Sequence, residues 1–191
     1  MTAGTRQSSS PFDDFVERLK RTPPSCLSNC VVEPAELPEY WDNNPTSAWK
    51  TRCHCGGEKG RLLGFSLNDF NPEYDGPLLL VSPLAFECAA CMERTAFLDT
   101  DIHGYHADID RRAGIRGGSC KIRGSGEPTA FLCPGCANNQ FTLVTAFVFW
   151  NADALAEEFE HRCEDLFNVF LCYASCCRCG GVTKPTDFGK L

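Results

Sequence analysis

The chain has 191 residues, with 18 Lys and Arg residues, 25 Asp and Glu residues and 14 cysteines, which is enough for one medium or two small domains. Its formal net charge of -7 is opposite in sign to the broad basic face that a nucleic-acid-binding protein usually shows. The longest apolar run is far shorter than the roughly 18 residues that a membrane-spanning helix requires, so a membrane span is excluded.

Residues 1–10 are polar and contain no apolar region of the kind found in secretory signal peptides. We therefore expect this segment to be disordered and the protein to be cytoplasmic. The cytosol is reducing, so structural disulfides are rare there, whereas zinc still binds thiolates tightly. The cysteines are accordingly interpreted as metal ligands first.

A short helix is expected immediately after this segment. Ser10 followed by Pro11 is typical of an N-cap and the first turn of a helix. Apolar residues then recur on one face, which predicts an amphipathic helix over residues 11–21. The following sequence is rich in Pro, Asn, Glu and Ser, so residues 11–50 are predicted to be this helix and an irregular arm.

Six short runs rich in Phe, Leu and Val, bounded by Gly, Pro, Asn or Asp, predict strands. They are Arg61–Ser66, Leu78–Phe86, Thr95–Leu98, Thr129–Leu132, Gln140–Trp150 and Leu166–Ala174. A cap at Asn151 and apolar residues at helical spacing predict one helix over residues 152–163, with an acidic solvent-exposed loop as the alternative. The predicted fold class is therefore β-rich, in the range from all-β to α+β.

Eight of the cysteines form four local pairs separated by one or two residues. The pairs are Cys53 and Cys55, Cys88 and Cys91, Cys133 and Cys136, and Cys176 and Cys179. A tight turn of this kind directs two sulfurs toward one ion, about 2.3 Å from each sulfur. Hydrophobic residues make up only roughly 36% of the chain once cysteines are removed, which indicates that cross-links supplement a small core. Two zinc ions, each held by four thiolates, are expected.

The order of the pairs predicts how they combine. Gly-Gly follows the first and the last pair, so the motifs run in a mirrored order along the chain. Pairs that are neighbours in sequence are expected to share an ion, which joins the first pair to the second and the third to the fourth. The alternative joins the two central pairs and leaves the outer pairs to share the second ion.

The motifs and the strand content resemble the zinc-ribbon class, in which two cysteine knuckles on β-hairpins clamp one zinc ion. The resemblance covers about residues 51–100 and 128–189, although the first knuckle has one residue fewer than usual between its cysteines. It implies structural zinc on small antiparallel sheets, here in two halves at 51–110 and 128–191 joined by a basic Gly-rich linker at 111–127. Zinc ribbons serve many roles, so the resemblance implies no activity.

Two questions about the ligands stay open at this point. Cys176 is preferred to Cys177 because it gives the usual two-residue spacing to Cys179, but Cys177 would reproduce the short spacing of the first knuckle. Cys26 and Cys30 are a possible third half-site with no obvious partner pair.

On function, closed metal sites and an acidic chain favour a non-enzymatic protein-interaction module, of the adaptor or antidote type, that binds a basic protein. The alternative is nucleic-acid binding through residues 111–123, part of a segment that has five positive charges and no negative charge. A second alternative is an enzyme that uses His103 and His106 with nearby aspartates, against which the simpler interpretation is a polar turn that caps a hairpin.

Overall fold

The computed structural model describes residues 10–37, 44–113, 123–150 and 163–187. Within these ranges the chain forms nine antiparallel strands and two short α-helices. The β-rich class predicted from the sequence is therefore confirmed. No helix in the described ranges is both long enough and apolar enough to cross a membrane.

The elements follow one another along the chain in this order. The helices are α1 (Pro11–Leu19) and α2 (Tyr105–Arg112). The strands are β1 (Cys30–Pro34), β2 (Thr46–Cys53), β3 (Gly60–Ser66), β4 (Leu80–Cys88), β5 (Arg94–Leu98), β6 (Thr129–Ala130), β7 (Phe141–Val148), β8 (Val169–Cys176) and β9 (Val182–Asp187).

Helix α1 forms where the sequence predicts it. The Ser10 hydroxyl accepts a hydrogen bond from the Asp13 amide at 3.1 Å, and the Asp13 carboxylate accepts one from the Ser10 amide at 3.2 Å. This reciprocal capping box satisfies donors that a helix start leaves unpaired. Phe15 and Leu19 on the apolar face are buried in the core, so the helix packs down as its amphipathic pattern requires.

The segment predicted as an irregular arm contains two strands, β1 and β2. Strand β2 lacks a simple apolar alternation because it buries two polar residues, Ser47 and Thr51. The Thr51 hydroxyl is satisfied in the core by the Thr145 hydroxyl of β7 at 3.0 Å. A local sequence pattern does not reveal a strand whose buried polar residues have a distant partner. The prediction of an irregular arm was therefore wrong for this segment.

The turn predicted around His103 is present, but it leads into helix α2 and does not cap a hairpin. Gly104 takes a left-handed φ of 92° at the N-cap, and the helix follows directly. Charged residues dominate α2, and Asp108 pairs with Arg111 and Arg112 one turn later. Such pairs stabilise a short polar helix. The predicted helix over residues 152–163 lies outside the described residues except for Cys163, as does the predicted disordered segment except for Ser10.

The strands form one curled sheet. Its main path runs β1-β2-β7-β3-β4-β5, while β6 pairs with β3, β8 pairs with β7, and β9 pairs with β8. Strands from both sides of the predicted linker therefore share the sheet. The Phe-rich core inside it includes Phe86, Phe97, Phe141, Phe147 and Phe170.

Two copies of one arrangement make up most of the sheet. Each copy has a strand, a cysteine knuckle, two paired strands, a second knuckle and a last strand, from β2 to β5 in the first copy and from β6 to β9 in the second. The motifs therefore form a direct repeat, not the mirrored order that the Gly-Gly positions predicted.

The two copies exchange their first strands. Strand β2 of the first copy pairs with β7 of the second, and β6 of the second copy pairs with β3 of the first. Gly60 and Phe141, the first residues of β3 and β7, pair with each other between the copies. This reciprocal pairing is the one expected if an approximate twofold axis, passing between Gly60 and Phe141, relates the two copies.

Gly60 is required at this contact because no side chain fits there. A Cβ atom at Gly60 would overlap the carbonyl oxygen of Glu87 and the ring of Phe86. We expect Gly60→Ala to lower the free energy of unfolding by about 1–3 kcal/mol, the usual cost of overpacking a core. Gly135→Ala is the matched control, because its Cβ would meet no atom closer than 3.9 Å. Chemical denaturation of both variants measures the difference, and equal stability would contradict the packing argument.

Candidate metal centres

The first four-cysteine group lies between two turns of the first copy. Cys53 ends β2, Cys88 ends β4, and Cys55 and Cys91 follow in the turns. The sulfurs of Cys53 and Cys91 are 3.5 Å apart, and those of Cys55 and Cys88 are 3.6 Å apart. All four sulfurs lie within 4.8 Å of one another.

The second group repeats this geometry in the second copy. The Cys133 and Cys179 sulfurs are 3.6 Å apart, and the Cys136 and Cys176 sulfurs are 3.5 Å apart. These four sulfurs also lie within 4.8 Å of one another. The cysteines thus cluster by neighbouring pairs, as expected, and the alternative that joins the two central pairs does not occur.

These distances match the requirements of a metal ion. Four sulfurs about 2.3 Å from a tetrahedral zinc ion are about 3.8 Å from one another, close to the separations in both groups. A disulfide would bring two sulfurs to about 2.05 Å, and all eight cysteines are free thiols. Each group can therefore hold one metal ion.

Three of the four knuckles share one backbone geometry. In each, the carbonyl of the first cysteine accepts a hydrogen bond from the residue just after the second cysteine, at 2.8–2.9 Å. These donors are Met92, Ala137 and Gly180, with left-handed φ angles of 60°, 55° and 72°. The left-handed residue turns the chain back so that both sulfurs of the knuckle face the same point.

The first knuckle reaches the same result with one residue fewer. Gly56, directly after Cys55, has a φ of 85° and donates to the Cys53 carbonyl at 2.8 Å. The shorter spacing that departs from the zinc-ribbon pattern is therefore accommodated by a tighter turn, for which glycine is suited.

The first cysteine of each knuckle also belongs to the hydrophobic core. Cys53, Cys88, Cys133 and Cys176 are each no more than 3% exposed and pack in the main core cluster. The second cysteine of each knuckle is exposed or half-buried. Each group therefore lies where the end of the core meets the surface.

Both groups lie at the same end of the sheet. Gly60 pairs with Cys88 on one side and with Phe141 on the other. Phe141 pairs in turn with Cys176. Neighbouring strands are about 4.8 Å apart, so three such steps place the Cα atoms of the two cysteines about 14 Å apart.

One thiol in each group has a lowered pKa, which favours its ionised form. Burial raises the pKa of Cys88, but the backbone amides of Cys91 and Ala90 outweigh it and lower the pKa to about 7. The amide of Cys179 lowers the pKa of Cys176 to about 6 against the opposing effect of burial. Amide donors stabilise a thiolate, which is the form that binds metal.

Asn138 contributes to the second group in a way that the sequence analysis missed. Its side-chain amide donates to the Cys176 sulfur at 3.5 Å and to the Gln140 carbonyl at 2.8 Å. The left-handed Met92 and Ala137 were also missed, because neither is a glycine. The only available signal was their common position directly after the second cysteine.

The other cysteines of the described residues lie outside both groups. Cys176 joins the second group, whereas the Cys177 side chain is exposed and is not a member. Cys26 and Cys30 do not form a third group of this kind with any acidic, histidine or cysteine side chain of the described residues. Burial raises the pKa of Cys26 strongly, which disfavours its thiolate form.

The two histidines of the enzyme hypothesis do not converge. His103 is half-buried in a cleft of about 130 Å³ that Cys26 and Asp165 also line. Its Nδ1 atom accepts a hydrogen bond from the Asp99 amide at 3.0 Å, and burial lowers its pKa. His106 is exposed and lies outside the lining of this cleft.

The described arginines of the basic segment are paired with acidic residues. Arg111 and Arg112 bind Asp108 at 3.3 and 2.6 Å. Arg123 binds Asp99 at 2.7 Å. These contacts partly neutralise the charges that a phosphate backbone would need. Residues 114–122 of this segment lie outside the described residues.

Comparison with known proteins identifies no relative. No protein-family model matches the sequence, and neither curated proteins nor solved structures show significant similarity to it.

The left-handed turn after Cys179 allows a matched test. Gly180 has open space around its Cα, so Gly180→Ala adds only the conformational cost of φ at 72°. We expect this variant to lose about 1 kcal/mol of stability and to bind metal more weakly at the second group. Gly181→Ala should behave as the unmodified chain, because its Cβ makes only an ordinary contact at 3.4 Å. Thermal unfolding with zinc bound compares the two, and equal losses would contradict the argument.

The choice between adjacent cysteines is tested by two serine variants. Cys176→Ser should retain about one zinc ion per chain and Cys177→Ser about two, because only Cys176 lies within the second group. Elemental analysis of the purified variants gives the ratio. Loss of zinc from Cys177→Ser alone would assign the ligand to Cys177 instead.

Proposed function

We propose that the two four-cysteine groups hold structural zinc ions and that the protein acts as a non-enzymatic interaction module, an adaptor or antidote that binds a basic protein. The observation that carries the metal part is the arrangement of eight sulfurs in two sets, each within 4.8 Å. The proposed binding of a basic protein rests on the negative net charge of the chain. The proposed non-enzymatic role rests on the complete coordination that four thiolates give a zinc ion.

Zinc is favoured over other metals by the ligand set. Four thiolates in a tetrahedral arrangement are typical of structural zinc, whereas magnesium and calcium require oxygen ligands. Four protein ligands also complete the coordination of the ion. No position then remains for water or substrate, which distinguishes a structural site from a catalytic one.

The connectivity supports a structural role. Strands β2 and β3 follow one another in sequence but do not pair with each other, since β2 pairs with β7 and β3 with β4. An ion in the first group would tie the turn between them to the β4–β5 hairpin. An ion in the second group would tie the β6–β7 connection to the β8–β9 hairpin in the same way.

The charge supports a basic partner. The chain has a formal charge of -7, and a zinc ion with four thiolates leaves a formal charge near -2 at each site. Both groups lie at one end of the sheet and would concentrate this charge there. An acidic surface attracts a basic partner and speeds their association.

Metal content and stability test the structural role. The purified protein should contain about two zinc ions per chain, and chelation should abolish cooperative unfolding, because zinc contributes on the order of 10 kcal/mol per structural site. Elemental analysis and circular dichroism provide the measurements. A metal-free chain that keeps its fold and melting temperature would contradict the proposal.

Affinity capture at different salt concentrations tests the partner. Zinc-loaded protein on a column should retain proteins with basic surfaces at physiological salt and release them as salt screens the attraction. Absence of any retained protein would count against an interaction module. Nucleic acid that is retained, and lost when Arg111, Arg112 and Arg116 are replaced by alanine, would favour the alternative function.

A further inference from the structure

Cys30 lies directly across the sheet from a member of the first cysteine group. It is the first residue of β1, and its partner in the β1–β2 ladder is Cys53, the last residue of β2. Side chains of directly opposed residues lie on the same face of an antiparallel pair. Consistent with this, Cys30 packs against the core cluster that contains Cys53.

The ladder places this pair at a position of close approach. The Ala35 amide donates to the carbonyl of its opposite residue, Ala48, at 2.9 Å, which makes that pair a hydrogen-bonded one. Hydrogen-bonded and non-hydrogen-bonded pairs alternate, so counting back along the ladder makes Cys30 and Cys53 a non-hydrogen-bonded pair. The Cys53 amide indeed donates elsewhere, to the Gly57 carbonyl at 3.0 Å.

A pair of this kind suits a disulfide. Cα atoms at non-hydrogen-bonded positions are about 4.5 Å apart, and disulfides join Cα atoms separated by about 4.4–6.8 Å. Both cysteines are free thiols. The two sulfurs can therefore bond across the ladder with little movement of the backbone.

Cys30 also gives the pair access to solvent. It lines an open groove of about 460 Å³ together with His54 and Glu93, whereas Cys53 is fully buried. A small oxidant can reach the pair from the Cys30 side. Within the described residues, strand β1 pairs with β2 alone, and the second copy has no strand in the corresponding place.

We propose that Cys30 and Cys53 form a regulatory disulfide, through which hydrogen peroxide releases zinc from the first group and leaves the second group loaded. This inference rests on the proposed zinc binding. It assigns to Cys30 the role of a resolving thiol and not of a metal ligand.

The chemistry balances with hydrogen peroxide as the only oxidant. The Cys53 thiolate attacks one peroxide oxygen, the O–O bond breaks, and hydroxide leaves with a sulfenic acid remaining on Cys53. The Cys30 sulfur then attacks the sulfenyl sulfur, the S–O bond breaks, and a second hydroxide leaves. The Cys30 proton and one proton from solvent convert the two hydroxides to water. The first group, with three ligands left, releases its ion.

The test starts from the full chain loaded with two zinc ions. One molar equivalent of hydrogen peroxide is added with a colorimetric zinc chelator present, and the disulfides are mapped by mass spectrometry after proteolysis. We expect about one zinc ion per chain to be released and Cys30 to be joined to Cys53, because among the described residues only the first group has a further thiol opposite one of its members in a strand ladder. A dithiol reductant with added zinc should restore two ions.

Serine variants identify the resolving thiol. Cys30→Ser should still bind two zinc ions but release zinc about tenfold more slowly, because no thiol completes the disulfide. Cys177→Ser is the matched control, since Cys177 is an exposed thiol beside the second group, and it should release zinc as the unmodified chain does.

Three results would overturn the proposal. The first is zinc release from Cys30→Ser at the rate of the unmodified chain, and the second is a mapped disulfide that joins other cysteines. The third is a Cys30→Ser chain that binds only one zinc ion, which would make Cys30 a ligand. A chain that binds no zinc before oxidation would refute the proposed function itself. The loading step therefore separates the two failures.

Discussion

The structure depends on four cysteines that serve two purposes at once. Cys53, Cys88, Cys133 and Cys176 are buried in the hydrophobic core, and their sulfurs also belong to the two four-cysteine groups that can hold a metal ion. The core and the candidate metal centres are consequently continuous, because they share these four side chains. This explains how a chain with a small apolar fraction can fix a nine-stranded sheet.

The internal repeat extends to the hydrogen bonds around the four-cysteine groups. The Ala89 amide donates to the Lys59 carbonyl, and the Cys177 amide donates to the Gln140 carbonyl, both at 2.9 Å. Each donor follows the first cysteine of a hairpin knuckle, and each acceptor precedes the first strand of a hairpin. The two copies therefore agree in backbone detail, although the sequence similarity between them is confined to cysteines and a few neighbours.

Local features were predictable from the sequence, and features that depend on distant partners were not. The capping of α1, the six Phe-, Leu- and Val-rich strands and the grouping of cysteines follow from spacing within a few residues. Strand β2 was missed because it buries the polar Thr51, whose hydroxyl meets that of Thr145 on the distant strand β7. The position of Cys30 opposite Cys53 likewise depends on a ladder register that no local pattern records.

The exchange of first strands has a consequence for the independence of each copy. A chain with only the second copy would leave β6 without its partner β3 and one edge of β7 without β2. Two such chains could supply each other with the missing strand by reciprocal donation, as in a domain-swapped dimer. The protein has the architecture of such a dimer within a single polypeptide, in which covalent linkage makes assembly independent of concentration.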